Sequence, residues 1–105
     1  MDMMHNDSSI AQLKAAHDEA QQKLGNLQLA LHLAADALCQ AEFEYHRTHA
    51  VHASPEDREA ARVLCNEAFD AHRRARALFY QHGYVALLAQ RAYVAALHQN
   101  TAKNS

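Results

Sequence analysis

The chain has 105 residues, half of them hydrophobic, with 2 Gly, 1 Pro, no Trp, 9 His and a formal net charge of −2. So little Gly and Pro leaves too few turns for a β-sandwich or a βαβ array, and the length allows one domain at most. The apolar fraction is too high for a disordered chain, and the charge offers no single-sign field for nucleic acid or membrane, which predicts one all-α domain spanning residues 1–105.

Met1 to Ser9 contains Asp2 and Asp7 but no Lys, Arg or apolar run. It reads as neither a signal nor a transit peptide, and residues 1–8 are expected to be disordered. Ser9-Ile10-Ala11-Gln12 has capping-box spacing, so the first helix is predicted from about residue 9. Only Gly25-Asn26 interrupts it before about residue 52, and one helical Gly costs only about 1 kcal/mol. Ile10, Leu13, His17, Ala20, Leu24, Leu27, Leu31, Ala34, Leu38, Ala41, Tyr45 and Thr48 alternate intervals of three and four, a heptad seam. His17 is a polar member of that seam.

Ser54-Pro55-Glu56-Asp57 places a capping Ser before Pro at the first helical position, with acids where the helix dipole favours them. A second helix is predicted over about 55–98, with 99–105 a frayed tail. Its seam reads Ala61, Leu64, Ala68, Ala71, Ala75, Leu78, His82, Val85, Ala89, Ala92 and Ala96, and crosses Gly83 without a change of phase. Because His82-Gly83 also resembles a C-cap, a three-helix bundle broken at Gly83 is the alternative.

Folding back at Ser54 pairs Leu13 with Ala96, Leu24 with Val85, Leu31 with Leu78, Leu38 with Ala71 and Tyr45 with Leu64, always at the same sum of residue numbers. Gly25 and Gly83 then fall at one level. The fold expected is a long antiparallel helical hairpin, a two-helix coiled coil. Apolar residues remain outside the seams: Leu29, Leu33, Phe43, Phe69, Phe79, Tyr80, Leu87, Tyr93 and Leu97. Helices apolar on most sides are buried on most sides. These residues are therefore the expected surface for homodimerisation into a four-helix bundle, for another protein, or for both.

Three chemistries compete with protein binding. Glu42, His46 and His49 share a helix face, and Cys39, Glu42 and His46 fall on the same edge of the hairpin as Cys65 and His72, which together supply a possible zinc set, although no CxxC, HExxH or ExxH spacing occurs. No other cofactor is implied. Arg73, Arg74 and Arg76 form the basic cluster, and a basic stripe on a helical hairpin resembles the Rop-like RNA-binding bundles of plasmids. The bland expectation is local pairing, of Asp70 with Arg73 and Arg74 and of Glu59 with Arg62. Glu44 and Glu67 are expected to meet across the seam, with Arg47 to neutralise them. A hairpin is expected to lack a concave pocket of enzymatic size. Ala16-His17 resembles the Ala-His pair of histidine phosphotransfer domains, but Asp18-Glu19-Ala20-Gln21 stands where Lys-Gly should follow. The turn Ala53-Ser54-Pro55 lacks the Trp-x-Gly of small secreted hairpins.

Neither apolar-rich window, Leu27 to Cys39 or Tyr84 to Leu97, reaches the roughly 20 residues of a membrane span. Two Cys are too few for a disulfide framework, so a cytoplasmic location is expected. The function expected is that of a non-enzymatic regulator, inhibitor or adaptor that binds itself and an unidentified protein.

Overall fold

The computed structural model describes the backbone of residues 2–104 and the side chains of residues 9–102. It is an all-α antiparallel hairpin of two helices, α1 (Asp2–Ala50) and α2 (Pro55–Asn104). The backbone of α1 is helical from Asp2, not from Ser9, because no Pro or Gly precedes Gly25 to stop it. Ser9 is thus inside the helix. Similarly, α2 runs on through 99–104 where a frayed tail was expected. Met1 and Ser105 lie outside the described residues. Gly83 is helical, so the break of the three-helix alternative does not occur.

The turn is built from two caps. The Ala53 amide donates to the Thr48 carbonyl at 2.9 Å and the His52 amide to the His49 carbonyl at 3.3 Å. That pair of bonds is the Schellman arrangement, which needs a left-handed residue just past the helix. His52 fills that position with φ 54°. On the other side the Asp57 amide donates to Ser54 Oγ at 3.1 Å, and the Arg58 amide to the Ser54 carbonyl at 3.0 Å. The Ser-Pro start of α2 is therefore as the sequence predicts, with Glu56 and Asp57 in its first turn.

Contacts divide the chain into two units, one pairing the segment up to Asn26 with that from Tyr80 onward, the other spanning Leu27–Phe79. In the first, Ala20 and Ala86 are buried. His82 Nε2 lies 3.2 Å from the Ala20 carbonyl, and the His17 ring stacks on Tyr93. In the second, Ala61 and Thr48 are buried. The Thr48 hydroxyl donates to the Tyr45 carbonyl at 2.6 Å, which satisfies it without a partner on α2.

Every seam position expected on α1 is turned inward. The seam of α2 requires correction at alternate layers. Leu64, Leu78 and Val85 are 60%, 52% and 49% exposed and Ala92 is exposed as well, and the inward positions are Cys65, His72, Phe79, Ala86 and Tyr93. Pairings of Tyr45 with Leu64, Leu31 with Leu78 and Leu24 with Val85 are therefore not formed as seam layers. Two adjacent stripes of α2 are both apolar at heptad spacing, and α1 takes the one that covers the larger rings of Phe79 and Tyr93.

Candidate protein-interaction surface

A hairpin whose buried set is Ala20, Ala61, Ala86 and Thr48 has a thin core, and among the described residues no large side chain is fully buried. Large apolar groups lie outside instead. In the Leu27–Phe79 unit, Leu29, Leu33, Phe43 and Phe69 are exposed, Phe43 at 67%. In the other unit Tyr80, Leu87 and Leu97 are exposed. Seven of the nine expected surface residues thus lie on the surface. Phe79 and Tyr93 do not: both are half-buried in the seam of α2. Sequence reasoning passed over Leu64, Leu78, Val85 and Leu88, which are exposed, because it placed the first three between the helices.

The expected absence of a concave pocket is also corrected. An open groove of about 660 Å³ lies in the Leu27–Phe79 unit, between Ala37, Gln40, Ala41, Glu44, Arg47, Thr48 and Val51 of α1 and Ala60, Ala61, Leu64 and Ala68 of α2, with Ala53 and Asp57 at the turn. Small side chains make it. Its volume is in the range of ligand sites, but its floor is alanine. Glu44 accepts from Arg47 Nη2 at 2.9 Å, an exposed pair that raises the Arg47 guanidinium through its hydrogen bond and charge. Glu67 is not part of this lining.

The zinc set is not assembled. Among the described residues no three His, Cys, Asp or Glu side chains are placed to hold a metal ion. His46 and His49 instead pack edge-on to the Tyr45 ring, with centroids 5.8 and 4.8 Å away. Cys39 is exposed and Cys65 half-buried, both as free thiols. Glu42 is exposed and His72 half-buried on α2.

Arg73, Arg74 and Arg76 are all exposed. At about 100° per residue, however, Arg74 and Arg76 point to opposite sides of α2, so the cluster is not one basic stripe. The ion pairs among the described residues are Lys14–Asp18, Glu44–Arg47 and Glu59–Arg62, so the expected Glu59–Arg62 pair forms and the Asp70 pairings do not. The hydrogen bond that Lys14 donates to Asp18 raises the Lys14 ammonium, and the hydrogen bonds that Glu59 accepts from Arg62 lower its carboxyl.

No helix among the described residues is long and apolar enough to cross a membrane. Compared with known protein families, characterised proteins and solved structures, the chain matches none of them.

Proposed function

We propose that this chain is a non-enzymatic, protein-binding regulator, inhibitor or adaptor that also associates with itself, acting in the cytoplasm. One observation carries the reading: large apolar side chains cover the outside of the helices while the buried set is mostly alanine. Large apolar side chains left exposed in this number are what interaction surfaces are built from. Phe43 and Phe69 are the anchors expected to dominate affinity, since buried aromatics are the usual hot spots. Charges at the rim, such as Arg73 and Arg76, select the partner more than they hold it. The free thiols of Cys39 and Cys65 fit a reducing compartment.

The test is capture of bound protein from the native cell with the wild-type chain and with Phe43→Asp and Phe69→Asp. Both residues are exposed, so helicity is expected to persist in each variant. Loss of the same captured protein in both supports the reading; undiminished capture in both contradicts it.

A further inference from the structure

The exposed stripe of α2 is self-complementary. Leu64, Ala71 and Leu78 repeat at heptad spacing and therefore share one face, with Leu64 and Leu78 exposed on either side of the small Ala71. This face lies roughly a quarter-turn around α2 from the residues turned toward α1. That is the angle at which a helix of a four-helix bundle meets its second neighbour. Glu67 and Arg74 flank the stripe on one side, the acid four residues before Ala71 and the base three residues after it. Both are exposed, and neither takes part in the ion pairs among the described residues. The groove wall formed by Leu64 and Ala60 carries the same apolar surface toward Ala37 of α1.

We propose that α2 packs antiparallel against α2 of a second copy, about a twofold axis beside Ala71. Leu64 then meets the partner's Leu78 and Glu67 meets the partner's Arg74, each pair occurring twice, and Ala71 meets the partner's Ala71 once, on the axis. Antiparallel reversal about Ala71 keeps Glu67 and Arg74 on the same side of the interface, so the charges complement each other without rearrangement. Heptad spacing sets a crossing of about 20° from antiparallel, and alanine at the axis lets the helices approach closely. Phe69 lies about 200° around α2 from Ala71 and stays outside this interface, available to another protein. This rests on the self-association part of the proposed function and assigns its surface.

The test is sedimentation equilibrium on the full chain, on E67R, on R74E, on an equimolar mixture of those two, and on the double swap E67R/R74E. Each single swap places two like-charge contacts in the dimer and is expected to raise its dissociation constant about tenfold or more. The mixture and the double swap restore opposite charges at every contact and are expected to return to near wild-type affinity. Residues seven apart are two turns distant along a helix, so this rescue has no source within one chain. A wild-type dimer whose affinity neither single swap alters, or which is weakened without rescue, overturns the interface while leaving self-association standing. A wild-type chain that stays monomeric at all concentrations overturns both, and leaves the stripe to a different protein.

Discussion

His17 of α1 and Tyr93 of α2 stack with ring centroids 5.6 Å apart and planes inclined by 27°. The stack puts a histidine in the seam, and its Nδ1 is buried with no hydrogen-bond partner. An unsatisfied buried polar atom costs about 1–3 kcal/mol, whereas a ring of similar shape without it keeps the packing. His17→Phe is expected to stabilise the chain by about 1 kcal/mol and raise the melting temperature by several degrees. A lower melting temperature would show that Nδ1 is solvated and the stack polar in character.

Neither glycine is required by its surroundings. A Cβ at Gly25 would meet nothing within 4 Å, and one at Gly83 would meet only Leu24 Cδ1, at 3.9 Å. Both are helical with no positive φ. Gly25→Ala and Gly83→Ala are each expected to add about 1 kcal/mol of stability from helix propensity. Chemical denaturation measures it; destabilisation by either would mean that a bend or a close approach depends on that glycine.

His52 is the reverse case, a residue with a side chain where glycine would be relaxed. Left-handed backbone costs a non-glycine residue about 1 kcal/mol or more, and the unfolded-state entropy of glycine returns part of it. His52→Gly is therefore expected to stabilise by about 0.5–1 kcal/mol, and His52→Val to destabilise clearly. Equal stability of the two variants would exclude the Schellman turn.

Glu59 is held below its ordinary value of 4.5 by the hydrogen bond from Arg62. Because its folded-state value is depressed, the pair contributes stability above the ordinary carboxylate range, and that contribution is lost as pH falls through the lower folded value. Titration followed by NMR is expected to give a Glu59 midpoint below 4.5, moving up toward it in Arg62→Gln. A midpoint unaffected by that substitution would show that the exposed pair is not populated.

Much of the hairpin was legible because its signals are local. The Ser54-Pro55 start follows from capping chemistry, and the α1 seam from leucines with no competing stripe. Leu64, Leu78 and Val85 misled because heptad periodicity identifies an apolar stripe without saying what covers it. Two such stripes lie side by side on α2, and the burial of Phe79 and Tyr93 in the intramolecular seam is a matter of volume that spacing does not encode. The Schellman turn was hidden because histidine occupies the place where glycine would have marked it. The zinc set failed for a related reason: sharing an edge in register does not aim side chains at one point, and His46 and His49 find the Tyr45 ring instead.

The central claim is that the thin alanine core of the hairpin is completed by a second copy. Thermal unfolding followed by circular dichroism over a hundredfold range of chain concentration tests it most directly. If folding and association are linked, the melting temperature rises with concentration, since mass action stabilises whatever only the folded chain binds. A melting temperature independent of concentration, together with a monomeric mass, would contradict it.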